Sequence, residues 1–144
     1  MLKVMFDFQH QKHINEQQDY NCLLYTSKLR AFFDCCHSGS GLDLPLIFVG
    51  DSVFAKSNII QTQSNSLLIS GCRDNQTSAD SFIDGKYNGA LTWAILKTIN
   101  ENNIENITWK DFYLNIKLNL KDKYEQIPML SVGNSTISNI NIDL

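Results

Sequence analysis

The sequence predicts an α/β domain, a sheet covered on both faces by helices in three layers. Three observations lead there. Two short runs, 29–33 (LRAFF) and 67–71 (LLISG), read as buried strands, apolar on both faces as strands covered on each side are. Two later stretches repeat apolar residues at helical spacing: Leu91, Ala94, Ile95 and Ile99, then Trp109, Phe112, Tyr113, Ile116 and Leu120. The first strand runs directly into Asp34-Cys35-Cys36-His37 and the turn Ser38-Gly39-Ser40-Gly41. Open α/β sheets carry their chemistry at such strand ends.

Taken in order, residues 3–8 (KVMFDF) alternate weakly and suit an edge strand. Residues 14–24 are polar, with Asn15 placed to cap and Glu16 in the first turn. Tyr20, Leu23 and Leu24 give that segment a thin apolar stripe, so a short surface helix is expected. The central strand occupies 28–34. From 46 to 66 no period is clear. The segment starts apolar, turns at Gly50-Asp51 and becomes rich in Ser, Asn and Gln, which reads as a loop or linker. The strand at 67–71 continues into a polar run of turn formers through Asp80.

Asn88 is placed to cap a helix over 89–99. Thr108 caps a second helix, with Asp111 three residues on as in a capping box. Lys121 and Lys123 are expected in its last turn, where they suit the helix dipole. The last strand spans 127–132, and Pro128 at its start predicts a position near a sheet edge. The tail after Gly133 carries no signal.

The 144 residues suit a single domain, and 43% apolar composition is enough for one core. A net charge of −3 gives no reason to expect a nucleic-acid or membrane partner. No stretch has the length of a membrane-spanning helix. Residues 1–8 are too short for a signal peptide and contain Asp7. Four cysteines, two of them adjacent, do not form a disulfide framework. A reducing, cytoplasmic setting is therefore expected.

The run from Leu29 to Gly41 resembles the nucleophile motif of metacaspases: an apolar strand, then Asp, a small residue, Cys, His, Ser and Gly. A second run, 70–80 (SGCRDNQTSAD), resembles another metacaspase signature. The two occur in the family's order, and the resemblance extends over 3–133. It implies a caspase-like α/β/α sandwich that is incomplete, the early strands missing. Residues 1–144 would form one partial domain. In it, 1–45 close a large-subunit-like segment, 46–66 are the linker, 67–133 are small-subunit-like and 134–144 are a tail. Lys56 would be the linker's self-cleavage candidate, or simply an exposed loop lysine.

The resemblance also implies roles. Cys36 falls on the nucleophile. Asp34 falls on the acid that selects Lys or Arg before the cleaved bond, since a buried carboxylate must be paired. A cap or turn acid is the other reading of Asp34. Cys72 and Asp74, in the second signature, would line the substrate site, with a structural thiol as the alternative for Cys72. Asp43 matches a calcium-binding aspartate of calcium-activated members, and reads equally as a turn residue. Calcium needs six to eight oxygens, and the comparable upstream segment INEQQD keeps only Glu16 and Asp19 as acids.

A cysteine with a pKa of about 8.5 is only a few per cent thiolate at neutral pH, so Cys36 needs a base. In caspase-type sequences the histidine lies about 50 residues before the cysteine. The family's Ser-Gly-His-Gly motif is not in this sequence. His37 adjoins Cys36, and neighbours at a strand end point apart. His10 and His13 lie in a polar stretch.

Two readings follow. One is a cysteine endopeptidase acting on peptides with Lys or Arg, its histidine upstream of residue 1 or on a second chain. The other is an inactive interaction module derived from such an enzyme. A redox pair at Cys35 and Cys36 is a third, disfavoured because a vicinal disulfide is strained. Missing strands would also leave an apolar sheet edge open to self-association.

Overall fold

In the computed structural model, the described residues are 4–9, 28–35, 38–49, 52–55, 65–72, 80–83 and 86–143. They form strands β1 (Val4–Gln9), β2 (Lys28–Phe33), β3 (Leu46–Val49), β4 (Ser52–Ala55), β5 (Asn65–Ser70), β6 (Asp80–Ile83), β7 (Lys86–Gly89) and β8 (Met129–Val132). Two helices follow β7, α1 (Ala90–Glu101) and α2 (Trp109–Leu120). One sheet has the order β1-β2-β5-β8-β3-β4, and β6 and β7 pair separately. Strands β2 and β5 are parallel, and every other pairing is antiparallel.

Alternation along β2 and β5 divides the core. Phe32, Leu67 and Ile69 turn toward the helices, with Leu130 and Val132 of β8, and meet Leu91, Trp109, Phe112 and Ile116. Ala31 and Leu68 turn the other way, where Leu44 buries them with help from Phe33 and Leu42. The buried face of α2 is the expected stripe, Trp109, Phe112, Tyr113, Ile116 and Leu120. Its capping box is present as well. Asp111 N–H donates to Thr108 Oγ1 at 3.1 Å, and the Thr108 N–H reaches back to Asp111 Oδ2 at 3.4 Å. The helices are bonded to each other by Asn119 Nδ2 donating to the buried Thr98 Oγ1 at 3.0 Å.

Four expectations change. The segment 46–66 does not read as loop throughout, because it opens on β3 and β4. Phe48 of β3 is buried against the helices, while β4 is exposed along its length. Strand β8 lies inside the sheet between β5 and β3, not near an edge. Pro128 precedes its first residue, so the missing N–H removes no ladder bond. Helix α1 starts at Ala90 after Gly89, and Asn88 belongs to β7. Helix α2 ends at Leu120, leaving Lys121 and Lys123 beyond its last turn, where Lys117 lies instead. Lys123 Nζ sits 4.5 Å from the centre of the Trp93 ring.

The tail, silent in the sequence, is docked. Ile137 and Ile142 are buried in the main cluster. The Trp109 N–H donates to Ile140 O at 3.1 Å, and the Ile142 N–H to Ile107 O at 3.0 Å. Asp143 then reaches the start of β2. It accepts from Lys28 Nζ at 2.6 Å, Arg30 Nε at 3.2 Å and Trp109 Nε1 at 3.1 Å. The helix expected over 14–24 lies outside the described residues, as does Lys56.

Candidate functional site

The site is built where β2 and β5 end side by side. Their register pairs Phe33 with Ser70. The Gly71 N–H donates to Phe33 O at 2.8 Å, carrying the ladder one step past both strands. The first signature leaves β2 at this point and the second leaves β5.

Asp34 is the first residue after β2. Arg30 and Phe32 face the helices, so two-residue alternation turns Asp34 to the same side. There it meets the start of α1. Asp34 Oδ2 accepts from the Thr92 N–H at 3.0 Å and from Thr92 Oγ1 at 2.5 Å. Helix α1 has no side-chain cap of its own and no acid in its first turn. Asp34 therefore supplies from β2 what a local cap supplies elsewhere, an acceptor for an open N–H and a negative charge at the positive end of the helix.

Gly89 makes this approach feasible. A Cβ there would lie 1.9 Å from Asp34 Oδ2 and 2.4 Å from Asp34 Cγ. Gly89→Ala must displace the Asp34 carboxylate from Thr92. The expected cost is about 1–3 kcal/mol, read as a shift in the urea midpoint at unchanged slope. A wild-type midpoint would contradict this account of Gly89.

The turn over Ser38–Gly41 forms as expected. The Gly41 N–H donates to Ser38 O at 3.1 Å, and the Asp43 N–H to Ser40 O at 2.8 Å. Ser38 is buried, its hydroxyl 3.5 Å from Phe33 O. Gly41 lies against the Phe33 ring, whose nearest carbon would be 2.5 Å from an added Cβ.

Cys72 is buried, and its thiol donates to the carbonyl oxygen of Cys35 at 3.4 Å. The second signature thus touches the backbone one residue before Cys36. Cys36 and Asp74 lie outside the described residues, as do His10, His13 and His37. Asp43 is exposed, with φ of 48°, a left-handed conformation that aspartate tolerates better than most residues. Among the described residues no three carboxylate, histidine or cysteine side chains gather as metal ligands. Glu16 and Asp19 lie outside those residues. One aspartate supplies fewer oxygens than the six to eight that calcium takes.

One charged group escaped the sequence reading. Arg30 lies within the apolar strand and is 2% exposed. A buried charge must be paired, so Arg30 itself was the signal that a distant carboxylate exists. Asp143 is that carboxylate. Burial raises its pKa, but the bonds from Lys28, Arg30 and Trp109 and the Arg30 charge together bring it below the ordinary aspartate value.

Comparison with known proteins follows the same lines. The caspase domain model matches residues 4–137. The chain is 26% identical to Metacaspase-1 of Meyerozyma guilliermondii, over 93% of this chain and 45% of that protein. It is 25% identical to Metacaspase-1 of Scheffersomyces stipitis, over 93% and 46%. It is 26% identical to Metacaspase-1B of Aspergillus oryzae, over 78% and 38%. The chain spans less than half the length of these curated relatives. No helix among the described residues is long and apolar enough to cross a membrane.

Proposed function

Since the chain belongs to the caspase-domain family of cysteine peptidases and has its α/β fold, we propose that it carries the nucleophile half of a metacaspase-like endopeptidase. Cys36 attacks the carbonyl of the cleaved bond. Asp34 selects Lys or Arg in the position before it. The proton acceptor is a histidine from outside these 144 residues, either upstream or on a partner chain, because none of the three within them sits in a Ser-Gly-His-Gly context.

The observation supporting this reading is the meeting of the two signatures at the ends of β2 and β5. Asp34 is held there by two bonds from Thr92, and Cys72 touches the Cys35 backbone. A carboxylate with one oxygen held by two bonds is oriented before a cation arrives, which lowers the cost of binding one. With a base within reach, Cys36 would give an acyl-enzyme that water then releases, as in other thiol peptidases.

The use of Asp34 as a cap favours a second reading, an inactive module in which the acid serves only the fold. Joining a Ser-Gly-His-Gly segment from a metacaspase to this chain separates the two. The joined protein, assayed both with and without calcium, is expected to cleave Lys and Arg peptides, and Cys36→Ala to abolish turnover. The 144-residue chain alone is expected to be inactive. A well-folded joined protein without turnover would leave the module reading, and turnover by the chain alone would refute the external histidine.

A further inference from the structure

We propose that Cys35 and Cys72 form a reversible disulfide under peroxide, a modification site distinct from the nucleophile. The inference does not depend on peptidase activity. The β2–β5 register pairs residue 28 with 65 and residue 33 with 70, so the same offset sets Cys35 opposite Cys72. The bond from Gly71 N–H to Phe33 O carries the pairing past the strands. The Cys72 thiol at 3.4 Å from Cys35 O shows that the pairing distance still holds at the cysteines. Neighbouring strands lie about 4.7–4.9 Å apart, within the range of about 4.4–6.8 Å that disulfides span between Cα atoms. Consecutive Cα atoms are about 3.8 Å apart, below that range, so a bond between the adjacent Cys35 and Cys36 would carry strain.

Exposure assigns the order of events. Cys35 is partly exposed and Cys72 is buried. A small hydroperoxide reaches Cys35 first. Cys35 gives up its thiol proton, its sulfur attacks one peroxide oxygen, the O–O bond breaks, and a sulfenic acid forms as the departing oxygen takes up that proton and leaves as water or an alcohol. Cys72 then attacks the sulfenic sulfur. The S–O bond breaks, the S–S bond forms, and the thiol proton leaves with the oxygen as water. Two thiols give up two electrons and one peroxide takes them.

The bridge would close a loop containing 46–66 and tie the two signature segments together, so that a cut in that loop would not release them. It would also fix the backbone immediately before Cys36.

The test uses the whole chain, oxidised with hydrogen peroxide, alkylated and digested with trypsin. The expected product is peptide 31–56 joined to 57–73, two hydrogens lighter than the separate peptides and released by dithiothreitol. Fragmentation between residues 35 and 36 identifies the sulfur used. Cys36→Ser is expected to keep the bridge and Cys35→Ser to lose it. No joined peptide in the wild-type protein, or a bridge assigned to Cys36, would overturn the proposal.

Discussion

Replacing Asp143 by alanine is expected to destabilise the fold by about 2–3 kcal/mol, although it is the second residue from the end of the chain. The Arg30 side chain is 1% exposed and that of Asp143 25%. Removing one partner of a buried ion pair leaves an uncompensated charge, at a cost of about 3–5 kcal/mol. The lower figure applies because Asp143 is partly solvated and Arg30 keeps other acceptors. Its guanidinium also donates to Asn65 O at 2.8 Å, Asn65 Oδ1 at 3.1 Å and Leu29 O at 3.2 Å. The melting temperature should fall by about 8 °C, taking roughly 3 °C per kcal/mol for a chain of this size. Lys28→Met should cost under about 1 kcal/mol, because that partner is the solvated one.

The pH dependence has a defined sign. Asp143 titrates lower in the folded chain than in the unfolded one. The stability it contributes is therefore fully present above the unfolded value of about 4 and is lost as pH falls through the folded one. Wild-type and Asp143→Ala melting curves should converge below about pH 4. A constant gap down to pH 2 would show that the carboxylate charge is not what holds the tail.

Asp34→Asn is expected to cost the joined, histidine-bearing enzyme on the order of a hundredfold in kcat/KM on Arg peptides. That corresponds to losing one charge-assisted bond of about 1.5–3 kcal/mol. The amide can still accept from Thr92, so the start of α1 keeps a bond and loses only the charge, worth about 0.3–1 kcal/mol. Activity and stability therefore separate. A large fall in kcat/KM with a melting temperature within a few degrees of wild type assigns Asp34 to the cation. A large loss of stability with unchanged preference for Arg assigns it to the helix alone.

What was legible in the sequence follows from how local each signal is. Helix α2 was readable because its cap, box and stripe all lie within thirteen residues, 108–120. Strands β2 and β5 were readable as apolar runs ending in turn formers. Strand β4 was not, because Ser52–Ala55 is exposed throughout and buries no face that could set a period. Strand β3 is only four residues long, too short to show one.

The sheet position of β8 was misread because Pro128 lies one residue outside the strand. Cys36 could be named from its motif, but the bond between Thr92 and Asp34 spans 58 residues and has no local signature. Asp143 joins Arg30 over 113 residues, and only the charge inside an apolar strand announced it.

Cys36, three residues after β2 in the sequence, is proposed as the nucleophile of a site that reads a basic side chain through Asp34. Affinity labelling of the joined enzyme tests this central claim most directly. An arginyl chloromethyl ketone is compared with its aspartyl counterpart, and the labelled residue is identified by mass spectrometry. Rapid labelling of Cys36 by the arginyl reagent alone is predicted, slowed by Asp34→Asn. Equal labelling by both reagents, or label on Cys35 in place of Cys36, would contradict it.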